Sequence, residues 1–85
     1  MCTYITMTEP VVGSGATSEG WIDLASAVLY YDHPQDAPVD HALCIDFRGA
    51  NAATEPSSRV AVELDPASAR RLAATILATL GEAGA

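Results

Sequence analysis

Arg59-Val60-Ala61-Val62-Glu63-Leu64-Asp65-Pro66-Ala67-Ser68-Ala69-Arg70-Arg71-Leu72-Ala73-Ala74-Thr75-Ile76-Leu77-Ala78-Thr79-Leu80-Gly81 decides the fold of this chain. Its two halves have different periods. Residues 59–64 alternate, with Val60, Val62 and Leu64 on one side, and read as a strand. From Asp65 the period becomes helical. Asp65 is a good N-cap, and Pro66 suits the first helical position because its missing N–H has no partner there anyway. Ala69, Leu72, Ala73, Ile76 and Leu80 then recur at helical spacing and form one apolar face. Gly81 is expected to end the helix in a left-handed cap.

Working back from this strand–helix unit, residues 49–57 are small and polar and read as a loop. Residues 40–47 alternate, placing His41, Leu43, Ile45 and Phe47 on one face and Ala42, Cys44 and Asp46 on the other. Asp32-His33-Pro34 stops the preceding run, and Pro34 and Pro38 punctuate the connection. Residues 21–31 read as a strand broken near Ala25–Ser26. Residues 13–20, rich in Gly and Ser, read as a flexible loop. No Gly-Lys-Ser/Thr follows these glycines, which argues against a phosphate cradle. Residues 2–8 are β-branched and aromatic and read as a first strand. The expected order is ββββα. This is an α+β domain, an antiparallel sheet of about four strands with one C-terminal helix packed on one face. Residues 1–85 are expected to form a single small domain, with no internal repeat.

The 85 residues carry 11 acids and 4 bases, for a net charge of −7. All four bases are arginines, Arg48, Arg59, Arg70 and Arg71, and no basic stripe forms. Nucleic acid and anionic membrane surfaces are therefore disfavoured as partners. The start of the chain lacks a charged n-region followed by a long apolar h-region, and no apolar run approaches ~20 residues. A cytoplasmic location is the expectation, with Cys2 and Cys44 as free thiols.

The helix face opposite the apolar stripe has little charge. Between Pro66 and Leu80 only Arg70 and Arg71 are charged. The second sheet face is partly apolar, through Tyr4, Ala42, Cys44 and Ala61. Small domains bury a limited share of their surface alone. Together these features predict self-association as a homodimer or larger assembly. The bland alternative is that alanine is simply a good helix former in an alanine-rich chain.

Three groups of residues are chemically suggestive. His33-Pro34-Gln35-Asp36-Ala37-Pro38-Val39-Asp40-His41 holds two imidazoles and several carboxylates. His33, Asp36 and His41 could bind a transition metal ion with open positions, although the spacing matches no established signature. Cys2 and Cys44 could add soft ligands or act as a redox pair if the first and third strands are neighbours; a free cysteine is otherwise a small apolar packing residue. Tyr4, Trp21, Tyr30 and Tyr31 could line an apolar hollow for a small-molecule ligand.

Met1-Cys2-Thr3-Tyr4-Ile5-Thr6 opens the chain. Gly20-Trp21, Tyr31-Asp32-His33-Pro34, Ala37-Pro38, Ile45-Asp46-Phe47 and Arg59-Val60-Ala61-Val62-Glu63-Leu64 follow. With these segments the sequence resembles a family of small actinobacterial proteins of unknown function. The resemblance spans nearly the whole chain and implies no activity. It does imply that relatives often carry a histidine where Asp36 stands, which would alter the proposed ligand set.

The sequence leaves two readings. The first is a homo-oligomeric binding or accessory module. The second is a small metal-binding protein or metal-dependent enzyme built on His33, Asp36 and His41, with Cys2 as a further ligand.

Overall fold

A computed structural model describes residues 5–51 and 58–85. Four strands, β1 (Thr6–Thr17), β2 (Gly20–Asp32), β3 (Ala42–Gly49) and β4 (Arg59–Leu64), precede one helix, α1 (Pro66–Ala83). The strands form one sheet in the order β1-β2-β3-β4, and every neighbouring pair is antiparallel. The ββββα layout is the one the sequence predicts. No helix among the described residues is long and apolar enough to cross a membrane.

The first hairpin is longer than expected. The glycine-rich stretch is strand rather than loop, with Gly13 opposite Leu24 and Gly15 opposite Ile22. Only Ser18 and Glu19 turn the chain, where Thr17 Oγ1 accepts from the Glu19 N–H and donates to the Gly20 carbonyl. Gly20 takes φ 117°, a conformation that side chains resist. The pairing slips between Pro10 and Gly13, and this irregularity bends β1. Beyond the bend, Gly15 lies against Val60 of β4. A Cβ at Gly15 would sit 3.2 Å from Val60 Cγ2. Glycine there reflects close approach across a curled sheet, not flexibility. β2 is one strand through Ala25 and Ser26, but its pairing with β3 slips between Leu24 and Ser26, where the sequence suggests a break.

The register sorts the side chains onto two faces. The first carries Tyr30, Cys44 and Glu63 in one cross-strand row and Val28, Asp46 and Ala61 in the next. The second carries Leu29, Ile45 and Val62, with Met7 beside Leu29. Burial falls largely on the face expected to be outward, with Ala27 buried on the other. Ala42, Cys44 and Asp46 are buried, whereas Val62, expected inward, is 37% exposed and Met7 is 66% exposed. The second face is covered where the sheet curls over Ala27 and Val60, and open around Met7, Tyr31 and Val62.

The reason is the helix. No residue of α1 is buried, and Leu72, Ile76, Leu77 and Leu80 are all substantially exposed. The N-terminal turns touch the sheet, where Pro66, Ala69 and Arg70 meet Tyr31 and Leu43. The remainder does not fold over the sheet, contrary to the packed helix the sequence suggests. The cap positions are well made. Asp65 accepts from the Ser68 N–H, as expected of an N-cap. Gly81 stays helical, and Gly84, at φ 71°, supplies the left-handed cap instead. Its N–H reaches the Gly81 carbonyl, and the Ala85 N–H reaches the Leu80 carbonyl.

Candidate functional site

On the first sheet face, alternation along β4 places Arg59, Ala61 and Glu63 in one line. β3 sets Cys44 beside Glu63 and Asp46 beside Ala61, and β2 brings Tyr30 next to Cys44. These side chains surround a half-open hollow of about 330 Å³, lined by Tyr30, Gln35, Cys44, Arg59, Ala61 and Glu63.

Asp46 anchors one end. Its side chain is only 3% exposed, and its two oxygens are divided between two guanidiniums: Arg48 Nε donates to Oδ2 at 2.8 Å and Arg59 Nε to Oδ1 at 2.9 Å. Burial acts to push the Asp46 carboxyl up, but the hydrogen bonds and charges of Arg59 and Arg48 outweigh it, and the group is held below its ordinary range.

Glu63 anchors the other end. Its carboxylate accepts the N–H groups of Gln35 at 2.6 Å, Asp36 at 3.0 Å and Ala37 at 3.1 Å. Three successive backbone donors form a concave anion nest, here filled by the chain's own side chain. The bonds from Gln35, Ala37 and Asp36 hold Glu63 below its usual value. They also fix the connection between β2 and β3 over this face.

Cys44 forms part of the floor. Its Sγ donates to the Ala42 carbonyl at 3.7 Å. Burial raises its pKa first, and the Glu63 and Asp32 carboxylates raise it further, against a hydrogen bond from Tyr30. A thiol held in its protonated form is a packing group rather than a nucleophile. The Tyr30 phenol is likewise kept neutral, chiefly by burial.

The histidines meet elsewhere. His33 and His41 lie with ring centroids 4.5 Å apart, and His41 stacks on Tyr31 at 5.5 Å. His33 Nδ1 lies 2.9 Å from the Asp40 carbonyl, which can only accept, so Nδ1 carries a proton. Asp36 does not join them through any contact described here; its backbone is held at Glu63. Among the described residues, no three His, Cys, Asp or Glu side chains gather as a group able to hold a metal ion. Cys2 and Tyr4 lie outside the described residues. From Thr6 onward β1 pairs with β2, and β2 lies between β1 and β3.

The aromatic hollow is only partly assembled. Tyr30 and Tyr31 line a shallow apolar hollow of about 230 Å³ with Ile5, Met7, Leu29 and Leu43. Trp21 is not part of it. It sits opposite Ala16 near the hairpin turn, 75% exposed. Because β2 is continuous, nine residues, or roughly 30 Å along an extended strand, separate Trp21 from Tyr30.

Sequence reasoning missed the Asp46–Arg48–Arg59 triad and the Glu63 latch. An i, i+2 Asp-x-Arg pair on an alternating strand was a usable signal for the first. The Glu63 contacts span 26–28 residues and left no local trace.

Fold and site define a small α+β domain with a meander sheet, a projecting C-terminal helix and a polar hollow on one sheet face. The chain belongs to the DUF6295 family, a family of unknown function, whose model matches residues 1–85. No curated protein and no solved structure matches it.

Proposed function

We propose that this protein is a self-associating binding or accessory module in which a second copy covers the apolar stripe of α1 and the open sheet face. The observation that carries this reading is an 18-residue helix without one buried residue. An isolated helix of this length is marginal in water, and most helices owe their stability to packing of an apolar face. This one has no acidic residue in its first turn and no basic residue in its last to favour it electrostatically.

The magnitudes support a partner. The chain exposes 6111 Å², whereas a compact monomer of 8.8 kDa exposes about 4,800 Å². Its radius of gyration is 13.9 Å, against about 12 Å for a compact chain of this length. The excess of roughly 1,300 Å² is the size buried per protomer in an obligate homodimer. Ile5, Met7, Tyr31 and Val62 on the sheet, and Leu72, Ile76, Leu77 and Leu80 on the helix, provide two unfilled apolar surfaces. A second copy carries both, so one twofold arrangement can cover both at once. The module works in the cytoplasm under this reading, with its thiols reduced, and a small ligand is its cargo or signal. Native mass spectrometry of the purified protein tests it. A dimer or larger closed assembly is expected, and a monomer at micromolar concentration would contradict it.

A second reading rests on the approach of His33 and His41. The Asp40 carbonyl holds the His33 ring through Nδ1, the outer hydrogen bond that orients many metal-ligating histidines. A transition metal held by this pair, with Asp36 or Cys2 completing the set, would make the protein a small metalloprotein or metal-dependent enzyme. Elemental analysis of the same sample decides it. Stoichiometric metal that is lost in His33→Ala and His41→Ala supports the reading, and metal-free protein after growth and refolding with zinc or iron opposes it.

A further inference from the structure

The chain has four cationic side chains, and the sheet brings two of them together. Arg48 and Arg59 are direct cross-strand partners on β3 and β4. Like charges in that position repel and are ordinarily avoided. Here Asp46 lies between them and binds one Nε of each. One carboxylate against two guanidiniums leaves a local charge of about +1.

The arrangement is constrained. Asp46 is nearly fully buried, so its position is set by the sheet, and it fixes the headgroups of both arginines through two short charge-assisted bonds. The arginines themselves are 48% and 44% exposed, and the Nη atoms make no hydrogen bond among the described residues. Two forks are thus pre-oriented by their inner edge, with donor-rich ends accessible to solvent. Arg59 also lines the hollow that continues over Cys44 and Ala61 to Glu63.

We propose that the Arg48–Arg59 pair, with the adjoining hollow, is a binding site for the oxyanion of a small molecule, a carboxylate or a phosphate. The oxyanion sits across the Nη ends of the two guanidiniums, whose planar forks match either group. The body of the molecule lies over Cys44 and Ala61. Tyr30 provides a neutral hydroxyl at the side of the hollow. Glu63 closes the far end, roughly 13 Å from Arg59 along the strand, with an acceptor suited to a donor or cationic group. Binding is through hydrogen bonds and charge at the two forks.

The net charge of −7 opposes anions at long range. At physiological ionic strength that field is screened beyond about 8 Å, and within that distance the two guanidiniums dominate. The helix arginines, Arg70 and Arg71, belong to a different element and provide an internal control.

The test is NMR of the intact protein, following the Arg Nε–Hε signals during separate titrations with inorganic phosphate and with succinate. Sodium chloride at matched ionic strength is the reference. The Arg48 and Arg59 signals should shift saturably at millimolar ligand while those of Arg70 and Arg71 do not. The tighter-binding titrant identifies the oxyanion class. Arg48→Gln should weaken binding at least tenfold, and Arg71→Gln should leave it unchanged. Should Arg48→Gln fail to fold, Arg48→Lys preserves the charge near Asp46 and removes the planar fork, and it should still weaken binding several-fold. Shifts matched by chloride, no saturation with either titrant, or equal binding by the Arg48 variants would overturn the proposal.

Discussion

Only Asp65 stands between Leu64, the last residue of β4, and Pro66, the first residue of α1. Its backbone is extended, at φ −66° and ψ 154°, as suits an N-cap. Connections that fold a helix back onto its sheet typically need 2–6 residues. With a one-residue joint, α1 leaves the Leu72–Ile76–Leu80 stripe exposed. Short joints of this kind also favour exchange of an element between copies.

The joint depends on its cap. Asp65→Ala removes the acceptor for the Ser68 N–H and the one negative group at a helix start that has no other. We expect the thermal midpoint to drop by several degrees, with a loss of helical circular dichroism. Asp65→Asn, which can still cap, should recover most of it. Equal losses in both variants would assign the effect to something other than capping.

Acid should destabilise the fold through the Asp46 triad. The folded pKa of Asp46 lies below its unfolded value. Its contribution is complete above about pH 4 and is lost as pH falls through the depressed folded value. Glu63 acts with the same sign. Urea melts between pH 7 and pH 2.5 should show this slope. Asp46→Asn should cost about 1–2 kcal/mol at pH 7, because two half-exposed guanidiniums lose their charged partner, and should show a shallower acid slope.

Alkali should destabilise it through Cys44. A folded pKa above the unfolded one means that the unfolded chain releases the thiol proton first. Stability should therefore decline from about pH 8.5 upward. Cys44→Ala should flatten that decline and leave a later one, beginning near pH 10, that belongs to Tyr30. Identical alkaline profiles for the two proteins would contradict the placement of Cys44.

The Glu63 latch can be read by hydrogen exchange. Glu63→Gln keeps the size and removes the charge that holds the N–H groups of Gln35, Asp36 and Ala37. Exchange at those three amides should accelerate while the β2–β3 ladder, for example at Leu29 and Ile45, keeps its protection. Uniform acceleration would mean that Glu63 supports the sheet rather than the loop.

Local pattern carried most of the fold. The runs at 21–31, 40–47 and 59–64 located β2, β3 and β4 within two residues at each end, and Asp65-Pro66 located the start of α1. Gly13–Thr17 misled because glycine usually marks loops, whereas here it permits close packing against Val60. Gly81 misled because Gly84 offers the same cap three residues later. Alternation could not tell which sheet face is buried within the chain, since that is decided by where α1 goes. Of the site, the proximity of His33 and His41 was legible from a short proline-bounded segment. The triad and the latch join residues from different strands and loops, and pairing register alone brings them together.

The most direct test of the account is sedimentation equilibrium of wild type, Ile76→Glu and Ala78→Glu at tens of micromolar. Ile76 lies within the apolar stripe and Ala78 on the opposite side of α1, and both substitutions introduce a charge at a helix-compatible position. Wild type and Ala78→Glu should be associated, and Ile76→Glu should be monomeric or largely unfolded. A wild type that sediments as a monomer with its full helical content would contradict it.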